Sequence, residues 1–171
     1  ELWSSDDVGH NWRLVSYHHA LATRQAYYTR CGVAPDDRDE IYFLSGSFSV
    51  SLNGGETHTT SNFLQDTSSP GWDLHEVWSD PLNGERMIMA FDGGVTITEN
   101  LRKSWFRVQL PIAQMYHVTV DNAVPYNVLG NRQDGPSFRG PSITRLNGRW
   151  ARGMIPRGDW RGVGGGESGF A

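Results

Sequence analysis

The chain has 171 residues, 37% of them apolar, with 20 Gly, 8 Pro, 7 Trp and a net charge of -4. That length is ample for one domain with a sizeable core, but the apolar residues come in short pieces. No run approaches the roughly 20 that a membrane helix needs, and no charged-then-apolar leader precedes the first strand, so no membrane partner is expected. The chain opens at Glu1 without an initiator Met, which leaves room for a removed signal or an upstream domain. The one cysteine, Cys31, excludes an internal disulfide framework and any multi-Cys metal site, and is expected to be a small buried residue. Residues 1–131 carry 8 basic and 16 acidic groups, whereas 132–161 carry seven Arg against Asp134 and Asp159. Those arginines are irregularly spaced among Gly and Pro, with no helix or aromatic ladder to match a groove, so no nucleic-acid partner is expected either.

In chain order, "HHALATR" (18–24) is the one stretch with a brief helical pattern. From Gln25 the segments are "QAYYTRCGV", the turn "APDDRDE", "IYFLSGSFSVSL", the turn "NGGE" and "THTTSNF". These are apolar, β-branched and aromatic runs punctuated by Pro-Asp, Asp-Asp and Asn-Gly-Gly, the grammar of antiparallel strands. Residues 74–110 repeat it: a strand, an Asp-Pro turn, a strand ending in Asp-Gly-Gly, a strand, the loop Asn100 to Ser104 and a closing strand. A third period begins at "YHVTVDNAVPYNVLGNRQ" and passes into Gly, Pro and Arg after Gly135, before "WRGVGGGESGF" resembles a new start.

A shorter element sets the period. "SDDVGHNW" (Ser5 to Trp12), "SLNGGETH" (Ser51 to His58) and "TENLRKSW" (Thr98 to Trp105) each begin with Ser or Thr and carry Asp7, Asn53 or Asn100 third. Their starts are 46 and 47 residues apart, within the range of propeller blades. The fold expected is therefore all-β, a β-propeller fragment of about three to four blades of four-stranded antiparallel sheet. The divisions expected are a blade end at 1–20, blades at 25–68, 73–110 and 115–158, and the start of another at 160–171. So few blades imply that further blades or self-association cover the open edges.

The first copy matches Ser/Thr-x-Asp-x-Gly-x-x-Trp, the Asp-box of BNR repeats, through Ser5, Asp7, Gly9 and Trp12. In a hairpin loop the carboxylate or amide accepts backbone N–H bonds, Gly supplies positive φ, and Trp is expected to fill the blade interior. Ser51, Asn53 and Gly55 stand at the same positions, as do Thr98, Asn100 and Trp105. The third copy lacks both glycines, which predicts a weaker turn. A calcium loop is disfavoured, because the EF-hand pattern needs a distal Glu that is missing here.

The segments "QAYYTR" (25–30), "DLHEVWSDPLNGERMIMAFDGGV" (73–95), "AQMYHVTVDNAVPYNVLGNRQD" (113–134), "RGPS" (139–142) and "GGGESGF" (164–170) carry a further resemblance. With the repeats, the chain resembles the bacterial sortilin-like glycosyl hydrolases, long Asp-box propellers of which it looks like an internal segment. The resemblance implies a secreted or periplasmic bacterial protein and a glycan ligand at the central-channel face. The alternative it leaves open is a non-catalytic sortilin-like propeller that binds a peptide or protein.

In propellers, ligands bind where the innermost strands and their adjoining turns open at one mouth of the channel. The acids expected there as catalytic candidates are Asp73, Asp92, Asp134 and Glu167, since glycoside hydrolysis uses two carboxyl groups across the scissile bond. His75, Tyr116, His117, Arg132 and Gln133 are the expected ligand-binding residues. A sialidase-like set of Arg30, Arg132 and Arg161 with Tyr116 can also be assembled. No P-loop, dinucleotide fingerprint, Gly-x-Ser-x-Gly elbow or His-Glu-x-x-His motif occurs, so neither a cofactor nor a metal is expected.

Overall fold

Short alternating runs bounded by Gly, Pro, Asp and Asn have little choice but to pair as hairpins. A computed structural model describes residues 1–62, 69–108, 113–133, 135–143, 155–166 and 169. Its strands form antiparallel sheets in two compact units, Glu1–Leu110 and Pro111–Ala171.

In the first unit, β1 (Leu2–Ser4) and β2 (Arg13–Ser16) form a two-stranded sheet. A single 3₁₀ turn, His19–Ala22, occupies the stretch with the helical pattern. The next sheet is a meander of β3 (Arg30–Val33), β4 (Ile41–Leu44), β5 (Phe48–Ser51) and β6 (Thr59–Thr60). "IYFLSGSFSVSL" is thus two strands, bent back on each other at Ser45 to Ser47. The third sheet runs β7 (Leu74–Asp80), β8 (Asn83–Phe91), β9 (Gly94–Thr98) and β10 (Phe106–Val108).

The core lies between these two four-stranded sheets. Tyr42 and Leu44 from β4, Phe48 from β5, Leu74 from β7 and Met87, Met89 and Phe91 from β8 form one buried cluster, with Ala34. The alternate spacing of Met87, Met89 and Phe91 puts all three on one face of β8. Each such side chain contributes about 1.5–3 kcal/mol on burial. The same alternation exposes Cys31, which was expected inside. Its neighbour Gly32 faces the core side, where a Cβ would lie 2.9 Å from Val77 Cγ1.

The three Ser/Thr-x-Asx turns join the equivalent strand pairs: β1 to β2, β5 to β6 and β9 to β10. All three make the same four bonds. The first-position hydroxyl of Ser5, Ser51 or Thr98 donates to the third-position oxygen of Asp7, Asn53 or Asn100 at 2.8, 3.0 and 3.1 Å. That hydroxyl oxygen accepts the backbone N–H of the third residue. It also accepts that of the fifth, Gly9, Gly55 or Arg102, at 2.8, 2.8 and 3.2 Å. The third-position oxygen accepts the seventh N–H, from Asn11, Thr57 or Ser104, at 2.8, 2.9 and 3.0 Å. These bonds hold the fourth and fifth residues at positive φ in every copy: Val8 and Gly9, Gly54 and Gly55, Leu101 and Arg102. The third copy therefore keeps its turn without glycine.

The seventh side chain changes with the third. Asp7 accepts from the Asn11 amide at 2.5 Å, whereas the Asn53 and Asn100 amides donate to the hydroxyls of Thr57 and Ser104 at 2.9 and 2.8 Å. The eighth residues do not share one role. Trp12 is 61% exposed and lies over its own loop, its Nε1 donating to Gly9 O at 2.9 Å, which corrects its expected place in the blade interior. His58 packs edge-on to His18, with ring centroids 4.8 Å apart. Trp105 alone packs against the core, edge-on to Phe48.

Arg102 explains why glycine is dispensable in the third turn. From its left-handed position it pairs with Glu40 and donates to the Tyr42 hydroxyl, with its guanidinium 5.3 Å from the Tyr42 ring centre. Arg102 and Glu40 are both largely buried, so the pair bridges the two sheets. A left-handed non-Gly residue costs about 1–2 kcal/mol, whereas stripping one partner from a buried ion pair costs about 3–5 kcal/mol. The pair outweighs the strain.

In the second unit, β11 (Met115–Val120), β12 (Asn127–Arg132), β13 (Gly135–Pro141) and β14 (Arg161–Gly166) form a meander in that order. Arg161–Gly166 was expected to open the next blade; instead it pairs with β13 as the fourth strand of this one. The long Gly-, Pro- and Arg-rich stretch between β13 and β14 broke the regular period. Asp121, between β11 and β12, accepts the N–H groups of Ala123 and Asn127, the Asn127 amide and the Arg139 guanidinium. The Asn127 N–H above all, with Arg139 assisting, holds its carboxyl well below the usual carboxylate range.

Replacing Arg102 by Gly relieves the backbone but orphans Glu40. It is expected to lower unfolding free energy by about 2 kcal/mol, the pair loss less the strain relieved, as measured by urea denaturation. A more stable variant would show that strain dominates. Only the first of the three turns carries a carboxylate at its third position, Asp7, held below its ordinary 3.8 by the Asn11 N–H, the Asn11 amide and the Ser5 hydroxyl. A depressed folded pKa stabilises fully above the unfolded value and is lost as pH falls through the folded one. NMR signals of the Asn11 loop should therefore change below pH 3.8, while those of the Thr57 and Ser104 loops should not follow the same titration.

Candidate functional site

Successive turns of a meander lie at opposite ends of its sheet, so the end away from the Asx turns carries the β4–β5 turn, the start of β7 and the β8–β9 turn. A fourth segment, Thr23 to Tyr28, reaches the same end from the 3₁₀ turn. Ser45 anchors it: its hydroxyl accepts the Arg24 N–H at 3.0 Å and bonds the Thr23 hydroxyl at 3.0 Å. Arg24 O then accepts the N–H groups of Tyr27 and Tyr28 at 3.0 and 2.9 Å, which fixes both tyrosines on a tight turn. The start of β7 is held to the β4–β5 turn by Asp73 N–H to Gly46 O and Leu74 N–H to Ser45 O, at 3.2 and 2.9 Å.

These four segments bring five side chains together. Asp73 has φ of 47°, a left-handed conformation that Asp tolerates better than most residues. Its carboxylate accepts the Tyr28 phenol and lies 3.3 Å from Arg24 Nη2. His75 Nε2 and Asp92 Oδ1 are 2.6 Å apart, and the Asp92 N–H donates to Asp73 O at 3.3 Å. The Tyr28 ring closes the group, its centroid 4.5 Å from that of His75. Asp73, His75 and Asp92, expected from sequence, are thus assembled in one place. The carboxylates have different partners: Asp73 faces two donors, and Asp92 faces an imidazole. Burial, then the bond to Asp73, push the Tyr28 phenol far above its ordinary 10, so it stays a donor.

Arg24 and Tyr28 were missed. Tyr28 sits in the "QAYYTR" segment, and a tyrosine pair just after the brief helical stretch was the available signal. Arg30, placed in the sialidase-like set, lies 3.9 Å from Glu76 instead. The remaining ligand-binding candidates are in the second unit. Tyr116 and His117 are adjacent on β11 with ring centroids 6.2 Å apart. Gln133 donates its N–H to Gln114 O at 2.9 Å, and the Arg132 side chain lies over Gly135, where a Cβ would be 2.9 Å from Nε. Asp134 and Glu167 lie outside the described residues. Among the described residues no group of three or more His, Cys, Asp or Glu is arranged to hold a metal ion.

Tyr42 shares the fate of Tyr28: burial, then Glu40, drive its phenol upward. A raised folded pKa contributes stability that is full below 10 and lost as pH rises beyond it. Spectrophotometric titration should therefore show that Tyr28→Phe and Tyr42→Phe leave the tyrosinate signal at pH 10 unchanged. A drop in that signal in Tyr28→Phe would contradict the closed Tyr28–Asp73 contact.

No family model matches the chain, and no curated protein sequence matches it. Among solved structures it is similar to the crystal structure of an ancestral GH74 enzyme, with a TM-score of 0.50 and 16% identity. The match covers 80% of this chain and 19% of that one, so the chain spans about a fifth of the enzyme's length. At this identity the likeness concerns the fold alone, and with the four-stranded meanders it makes the chain a β-propeller fragment.

Proposed function

We propose that the chain is a segment of an Asp-box propeller of the sortilin-like glycosyl hydrolase type, and that it recognises or hydrolyses a glycan at the Asp73, Tyr28, His75 and Asp92 cluster. Further blades or a second copy would complete the channel. The observation that carries the reading is Asp73, held left-handed at the start of an innermost-type strand and gripped by Tyr28 and Arg24, beside the His75–Asp92 pair. Such a set offers acceptors and donors side by side, which suits a ligand rimmed with hydroxyls.

In the hydrolytic form of this reading, the His75–Asp92 pair protonates the leaving glycosidic oxygen as the bond to the anomeric carbon breaks. Water attacks that carbon and gives its proton to Asp73. In the binding form, the same groups hold the sugar without turnover.

The test is a panel of β-glucan, xylan and mannan oligosaccharides assayed for binding and for reducing ends. Asp92→Asn is expected to bind while losing turnover by about a hundredfold or more, and Asp73→Asn to lose both. Binding without turnover in the unmodified chain selects the binding form. Turnover untouched by either substitution, or binding to peptides with none to glycans, contradicts the proposal.

A further inference from the structure

The cluster has an aromatic extension that the acid chemistry does not use. Tyr27 is 78% exposed, yet its ring lies edge-on to Tyr28, with centroids 5.0 Å apart and planes at 67°. Tyr28 in turn lies 4.5 Å from His75. Three rings therefore form a row that starts at the His75–Asp92 pair and ends in solvent at Tyr27. Backbone flexibility does not account for the exposed ring, because the Tyr27 N–H is fixed to Arg24 O and the Arg24 N–H to Ser45. An exposed tyrosine on an anchored turn is a large flat surface presented at little cost in conformational entropy.

We infer that Tyr27 is a stacking platform for a second sugar unit and that the ligand class is an oligosaccharide. The inference rests on the glycan reading above. A pyranose has one face of C–H groups and a rim of hydroxyls. An aromatic ring covers the face, while carboxylates and a guanidinium take the rim. Here the two kinds of group lie next to each other: Asp92 at the His75 end of the row, Asp73 and Arg24 at the phenol of the middle ring, and the exposed Tyr27 ring at the other end. Tyr27 lies one ring, 5.0 Å, beyond the Tyr28 ring whose phenol contacts Asp73, so a sugar held at the acids has its neighbour over Tyr27. Tyr27 is a specificity-determining residue in this role, since it touches ligand without taking part in bond cleavage.

Calorimetric titration of the chain with hexasaccharides of β-glucan, xylan and mannan tests this. For the hexasaccharide bound best, Tyr27→Ala and Tyr27→Leu are expected to weaken Kd by about tenfold, and Tyr27→Trp to stay within about twofold of the unmodified chain. The exposed position makes all three variants compatible with folding. If Tyr27→Leu or Tyr27→Ala binds like the unmodified chain while Asp73→Asn has lost binding, the platform is overturned and the glycan reading stands. If Asp73→Asn and Tyr27→Ala both bind normally, or the unmodified chain binds no member of the panel, the glycan reading falls and the platform with it.

Discussion

The bond between a Ser or Thr hydroxyl and an Asp or Asn oxygen two residues later is the constraint on which the first unit depends. It repeats at Ser5–Asp7, Ser51–Asn53 and Thr98–Asn100 with nearly constant length. Once made, it positions two acceptors for three further N–H groups, and the chain between must adopt two left-handed residues. That fixes where the third strand of a sheet ends and the fourth begins. Register then propagates to the other end, where the β4–β5 and β8–β9 turns deliver Ser45, Gly46 and Asp92. The turns serve as scaffold, and the polar cluster is their distant consequence.

The three copies reach one geometry through different chemistry. A carboxylate at position three faces an amide at position seven, and an amide at position three faces a hydroxyl. In each case a donor meets an acceptor, which is the requirement that survives when residue identity drifts. The third copy goes furthest, placing Leu101 and Arg102 where glycine is least strained. Arg102 offsets this by bridging the sheets to Glu40 and Tyr42.

Much of this was legible in the amino-acid order, for identifiable reasons. The period was readable because the turns need particular side-chain atoms at particular offsets, and Asp73, His75 and Asp92 were readable because they adjoin strand ends. Contacts set by burial and alternation were less so. Cys31 and Trp12 resemble core residues by type, but alternation turns one outward and a bond to Gly9 holds the other over its own loop. The membership of Arg161–Gly166 in the third meander was hidden because turn spacing fails where a long Gly- and Arg-rich connection intervenes. Tyr28 and Arg24 escaped notice because their link to Asp73 spans 45 and 49 residues, and no local pattern encodes it.

On the proposed reading, the two ends of the first unit's sheets divide two tasks: structure at the Asx turns, and recognition at Asp73, Tyr28, His75 and Asp92. Backbone amide chemical-shift mapping during titration with an oligosaccharide tests that separation most directly. The shifts should concentrate at Tyr28, Asp73, His75 and Asp92 and leave Asn11, Thr57 and Ser104 unmoved. Shifts gathered in the three turns, with the cluster silent, would contradict it.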